Sequence, residues 1–596
     1  MRYCVSCVLV FALCVACATD PSSDVTVSLD ADKRLKMLYE REWSWRQSEE
    51  GYERDATGAW VKSARLPDVS AQAQEARLAY WMAVQQKLER IPPQALSKEA
   101  SINARVFAQI VKARVVEAQY RTYEAPFNSD TFFWTSLHPR SGGFDSLDAY
   151  QRYLGRMRDV PRYFDQQVQN MRAGLARGYS LPAVTLTGRD QSIESYLLPG
   201  EDNPFWVPFA ELPDDLDEAT KKRLREQARE LIATVLVPAY TELLNFMRKE
   251  YFPRARRTIA ARDLPDGEAF YRAQINVHTT LDLSPEAIHE KGLAEVARIR
   301  GKMQEILEEI DYDGDMASFF EFLRTDPQFY ARTPDELMGY SAYVAKRMDG
   351  KLSEVLGFLP RRRFAINPVP PAIAPVYTGG RGGLNACLMN TYNLPARPLY
   401  TLPALTLHEC APGHALQAAI SLEAPGEVPE FRARNYFSGY GEGWGLYTEW
   451  LGGEIGIYRT PYERFGQLTY EMWRACRLVI DTGVHYFGWT REEAITYLSD
   501  NAAMSEHEIV TEIDRYISWP GQALAYKLGE MLIREKRNLA EQTLGAEFDQ
   551  RYFHDFFLAL RSVPLNVLAE ELDAWIAAGG PNPYPQLDAV ESGQSE

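Results

Sequence analysis

From about Leu35 to the C-terminus, apolar residues recur mostly at helical spacing. In 284-SPEAIHEKGLAEVARIRGKM-303, Ile288, Gly292, Val296, Ile299 and Met303 share one face. Ser284 is placed to cap the first turn, with Pro285 at the first helical position. Ala287 stands where a capping box needs Glu or Gln, so none forms. In 468-LTYEMWRACRLVIDTGVH-485, Leu468, Met472, Cys476, Val479 and Gly483 make a second stripe. Both stripes predict core faces. The fold class expected is mainly α.

The pattern breaks at 124-EAPFNSD-130, 139-PRSGGFDS-146 and 197-LLPGEDNPFW-206. The strongest break is 358-FLPRRRFAINPVPPAIAPVYTGGRGG-383, rich in proline and ending in glycines. It separates a helical N-terminal part, 35–358, from a second part, 359–577, of the same unit. Just after it, 384-LNACLMNTYN-393 reads as an extended segment, a short strand or hairpin. A polar tail, 578–596, ends the chain and is expected to fray from about Leu587.

Composition narrows the class. The chain has 596 residues, 46% hydrophobic and 25% charged, as a soluble globular protein with ample core does. Its net charge of -17 argues against a nucleic-acid partner, which needs a basic footprint. The N-terminus differs: 5-VSCVLVFALCVACA-18 is apolar, uncharged and too short to span a bilayer, so residues 1–18 read as an export signal. Cleavage before Thr19 at Ala16-Cys17-Ala18 gives a soluble secreted protein. Val15-Ala16-Cys17 alternatively resembles a bacterial lipobox with Cys17 lipidated, although Cys14 replaces the usual Leu. The polar stretch 19–34, read as a tether, favours a lipid anchor in the bacterial cell envelope. Four of the seven cysteines lie in the signal. The remaining Cys387, Cys410 and Cys476 are odd in number and sparse, which implies no disulfide framework.

The candidate chemistry sits in 407-LHECAPGHALQAA-419. On an ideal helix, His408 and His414 lie about 120° apart around the axis and about 9 Å along it, too far to share one zinc at about 2.1 Å. Pro412 forbids an ideal helix, because it clashes with the carbonyl of His408 and donates no N–H. Gly413 tolerates backbone angles that other residues avoid. A break between the two histidines can return His414 to the side of His408. The competing reading is a helix that ends at Pro-Gly beside an ordinary His-Glu pair. The chain has eight histidines, and two fall within these seven residues.

A catalytic zinc site needs a third protein ligand and an open position. Glu442, in 436-YFSGYGEGWGLYTEWLGGEIG-456, is the candidate. It stands among Gly439, Gly441, Gly443 and Gly445, which suit a close backbone approach to another helix or to a metal site. Glu449, seven residues on and on the same face, is placed to orient a ligand from behind. Oxyanion donors are sought in 506-EHEIVTEIDRYISWPGQALAYKLGE-530, where Arg515, Tyr516 and Tyr526 carry suitable groups. His485, four residues after Asp481, is either a further donor held by that carboxylate or a core histidine. His507, between two glutamates, reads as solvated; nothing around His278 or His289 singles them out. Cys410 reads as a small buried cysteine before a soft ligand.

These segments resemble a family of bacterial proteins, many of them lipoproteins, catalogued as a domain of unknown function and regarded as zinc metallopeptidases. The matching pieces are 407-LHECAPGHALQ-417, 441-GEGWGLYTEWL-451, 481-DTGVHYFGWTREEAI-495 and 514-DRYISWPGQALAYKLGE-530. Weaker ones are 279-TTLDLSPEAIHEKGLAEV-296 and 564-PLNVLAEELDAWI-576. The resemblance runs from about residue 35 to 577 in one order. It implies a large helical zincin-like fold with a central cleft and a small β element beside the site. It also implies that His408, His414 and Glu442 hold zinc and that Glu409 acts on water. The family often has two adjacent histidines after Pro-Gly; here Ala415 takes the second place, leaving His414 as the candidate.

The function expected is an exported zinc hydrolase, a peptidase acting on short peptides or other small amides. Zinc lowers the pKa of water to about 7, and Glu409 takes its proton. The strand near Asn385 to Asn390 is expected to pair with an extended peptide. Two other classes stay open: a non-catalytic lipoprotein that captures a peptide or glycan, and a zinc amidase or esterase. A general base at Glu409 weighs against the first; shared zinc–water chemistry leaves the second.

Overall fold

A computed structural model describes residues 21–139, 142–371 and 374–585. The export signal and Cys17 lie outside the described residues, as does the tail from residue 586. The chain is mainly helical with a few short strands.

The two stripes read from the sequence meet each other. Helix Pro285–Glu309 starts at Ser284, whose side chain accepts the Ala287 N–H. Ile288, Gly292, Val296, Ile299 and Met303 are all buried. They pack on helix Pro461–Thr482, whose Leu468, Met472, Cys476 and Val479 are buried in turn.

The hydrophobic core ties the chain's ends together. Ala31, Leu35 and Tyr39 of helix Pro21–Glu49 share one cluster with Leu407, Trp444 and Trp575. The break at 358–383 therefore divides no separate core. A second cluster, from Leu66 to Ala255, packs by itself. Helix Glu218–Arg254 is long and apolar enough to cross a membrane, yet its Leu231, Tyr240 and Tyr251 are buried in that cluster.

Two boundaries need correction. The segment read as a tether is helical from Pro21, and Ala31 is 2% exposed, because the apolar stripe of the first helix begins there. The tail read from residue 578 begins too early: Tyr584 is buried and its ring lies 5.4 Å from that of Phe358.

The small β element is present beside the motif. Strands Ala365–Pro368, Ala386–Met389 and Gly380–Gly382 form one sheet, with Ala386–Met389 in the middle. It pairs parallel to Ala365–Pro368 and antiparallel to Gly380–Gly382. The strand expected to take a peptide thus has both edges filled. The edge facing the motif belongs to Gly380–Gly382.

The cysteine reading also changes. Cys387 of the middle strand and Cys410 of the motif form a disulfide, leaving Cys476 free and buried. Count and spacing could not reveal it, since the sheet brings together residues 23 apart. The bond excludes Cys410 as a thiolate ligand and suits an oxidising compartment.

Candidate metal centre

The helix carrying His408 runs Leu402–Glu409 and stops at Cys410. A new helix, His414–Glu423, begins after Pro-Gly. The turn between them is closed by the Gly413 N–H to Leu407 O and the Leu416 N–H to Cys410 O. Trp444 Nε1 donates to Pro412 O and fixes the turn from the neighbouring helix. This break brings the two imidazoles together: their ring centroids are 4.8 Å apart at 84°.

Glu442 arrives on helix Ser438–Glu454. Its Oε2 lies 3.4 Å from His408 Nε2 and 3.4 Å from His414 Nε2. The three ligand atoms all fall within 4.8 Å of one another. Tetrahedral ligands at about 2.1 Å from zinc stand about 3.4 Å apart, so two of the three separations match. Two nitrogens and one carboxylate oxygen are a donor set that zinc accepts. Helix Ser438–Glu454 can come this close because residue 445 is glycine: a Cβ there would stand 2.6 Å from the His408 ring.

Behind the cluster, His408 Nδ1 is 2.7 Å from Glu449 Oε1, and Glu449 is fully buried. With that nitrogen donating, Nε2 is left to face Glu442 and His414. Burial opposes charge on His408, but hydrogen bonds to Glu442 and Glu449 outweigh it and push its pKa up to about 10. Burial would raise the Glu442 carboxyl; the two histidines instead hold it well below its ordinary value. The carboxylates around this histidine pair favour a cation.

Glu409 follows His408 yet stays out of the ligand set. Its Oε2 accepts the Gly382 N–H from the edge strand. A side chain at 382 would strike the Glu409 carbonyl oxygen, so glycine is required for this approach. Tyr436, which sequence reasoning missed, donates to Glu442 Oε1 at 3.1 Å. Its only signal was a Tyr six residues before the glutamate.

The oxyanion candidates separate. Tyr526 lies close enough to Tyr436 to disturb it electrostatically. Arg515 Nη2 donates to the Tyr526 hydroxyl oxygen at 3.4 Å and to Gln522 at 2.6 Å. Tyr516 is 1% exposed and accepts from Trp473 Nε1 at 2.8 Å and Arg477 Nε at 2.9 Å. It braces the wall and has no free path to a substrate. His485 is a core histidine, the second of its two readings. Its Nδ1 accepts the Ala261 N–H and its Nε2 donates to Tyr516 O. Asp481 does not hold it; that carboxylate accepts from Tyr271 and the Gly521 N–H. His507 is exposed, His289 bonds Thr482, and His278 packs against Trp519.

The family described as "Bacterial protein of unknown function (DUF885)" matches residues 50–572. The chain belongs to this family. A protein described as a "putative lipoprotein" from Colwellia psychrerythraea has a solved structure similar to this one, with a TM-score of 0.81 and 26% identity, covering 93% of this chain and 99% of that chain. A "putative lipoprotein of unknown function" from Shewanella oneidensis gives a TM-score of 0.66 at 18% identity over 90% of this chain and 98% of that one, a likeness of fold alone. No curated protein matches the chain. The fold of this DUF885 member thus recurs over nearly the whole length of both solved structures.

Proposed function

We propose that the protein is an exported, envelope-associated zinc hydrolase that cleaves peptide bonds of short peptides. The observation that carries this reading is the trio His408, His414 and Glu442, with two of its three ligand-atom separations at zinc spacing and Glu409 beside it. Export draws support from the apolar N-terminus and the description of the Colwellia psychrerythraea protein as a "putative lipoprotein".

His408, His414 and Glu442 would hold the metal, with Glu449 fixing the tautomer of His408. When bound, zinc supplies a Lewis acid and lowers the pKa of water to about 7. The chain supplies the rest. The Gly382 N–H holds Glu409 Oε2, leaving Oε1 to take a proton from the attacking water and pass it to the leaving amine. Tyr526, whose oxygen accepts from Arg515, keeps its own hydrogen for the carbonyl oxygen as charge develops there. His414 and Glu442 are each partly exposed, so the cluster opens to solvent on one side.

The test is turnover on peptides found by library screening, with zinc content measured in the same preparations. Glu409→Gln keeps size but cannot take a proton at neutral pH. It should retain zinc and lose hydrolysis by at least about a hundredfold, the usual worth of general-base help. Unchanged turnover would remove Glu409 from the mechanism. Peptide binding without cleavage by wild type would favour a capture protein.

A further inference from the structure

A second cleft opens along the same edge strand. It is a narrow cleft of ≈ 50 Å³ walled by Leu337, Leu402, Leu405, Trp473 and Met504. Its polar wall includes Arg397 and Glu508, whose Nη1 and Oε1 pair at 3.1 Å, with Asn390, Thr401 and Tyr470 beside them.

Leu405 joins the cleft to the metal centre. It sits one helical turn before Glu409. A Cβ on Gly380 would lie 3.3 Å from Glu409 Cγ and 3.4 Å from Leu405 Cδ1. A Cβ on Gly379 would lie 3.8 Å from Leu405 Cδ2 and 3.8 Å from Arg397 Nη1. The guanidinium therefore stands beside Gly379, just before the edge strand and three residues from the Gly382 N–H that holds Glu409. Three residues of strand span about 10 Å. A chain laid along this edge with its reacting carbonyl near Glu409 brings a group two or three residues away to Arg397.

The chemistry of the wall selects that group. Among the described residues, Glu508 is the one hydrogen-bond partner found for the Arg397 guanidinium, through Nη1. Its Nε is buried and has no hydrogen-bond partner among the described residues. A guanidinium binds a second oxygen anion readily, because its donors form a planar fork. The apolar walls fit an aliphatic stem.

We propose that this cleft is a specificity subsite that takes a carboxylate of the ligand, with Arg397 as the recognising residue. The carboxylate is either the free C-terminus of a short peptide or an acidic side chain. The assignment rests on the metal-site reading for its location, and its test does not require turnover.

The experiment measures equilibrium affinity of purified Glu409→Gln protein for four peptides of one length: a free acid, its C-terminal amide, an amide containing one Glu, and an amide containing one Gln. The free acid or the Glu peptide should bind at least about tenfold tighter than the plain amide, as one charge-assisted bond provides. Whichever does so identifies the source. The double variant Arg397→Met with Glu508→Gln, which leaves neither charge alone, should lose the preference. Arg397→Lys, which keeps the charge, should retain part of it. Equal affinity for all four peptides, or a preference that survives the double variant, would overturn the subsite. A carboxylate preference in a protein whose wild type cleaves none of the four would support the subsite and count against the hydrolase reading.

Discussion

His408 and His485 are both buried histidines, 2% and 0% exposed, and both are candidates from sequence. Their surroundings differ in kind. His485 has each ring nitrogen matched to one backbone group, the Ala261 N–H and the Tyr516 carbonyl. Burial drives its pKa down to about 3, so it stays neutral. His408 has one nitrogen fixed by a buried carboxylate and the other turned toward a second histidine and a second carboxylate. One histidine completes a core; the other belongs to a group that a cation would complete. A buried histidine becomes informative only when its partners are known.

That comparison can be broken at Glu449, where the larger effect is expected. Removing a buried carboxylate that orients a ligand costs about 10–100-fold in metal affinity. Glu449→Ala should lower zinc affinity by that factor, measured by competition with a chelator, while circular dichroism stays unchanged. Undiminished affinity would place Glu449 in the same structural class as the partners of His485.

His485 gives the smaller effect and sharpens the contrast. Its folded-state pKa lies near 3, below its ordinary 6.5, so the unfolded chain binds the extra proton first. Its contribution is present above about pH 6.5 and is lost as pH falls toward 3, at no more than about 1.4 kcal/mol per pH unit. His485→Gln should flatten the acid limb of stability against pH in denaturant titrations and leave zinc content unchanged. Loss of zinc in this variant would contradict its assignment to the core.

Much of the candidate site was legible because its signals were local. Pro412 announced the break that returns His414 to His408, and the glycine at 445 announced a close approach. Ser284 and the two apolar stripes were read correctly because caps and faces depend on neighbours in sequence. What failed depended on three dimensions or on an assumed helix. The spacing of Asp481 and His485 suggests one face, yet the helix gives way to a π turn over Gly483–Phe487, which changes the residues per turn. The Cys387–Cys410 bond and the Gly382 contact with Glu409 both need the sheet beside the motif, which no periodicity in a glycine-rich segment discloses. The stretch 19–34 looked like a tether because its polar residues hide the apolar stripe that starts at Ala31.

The central claim is that His408, His414 and Glu442 together hold one zinc. The most direct measurement is metal content and zinc affinity of purified wild type beside His414→Ala. The account predicts about one zinc per chain in wild type and loss of most of it in the variant, as expected when one of three protein ligands is removed. Full zinc retained by His414→Ala would contradict it.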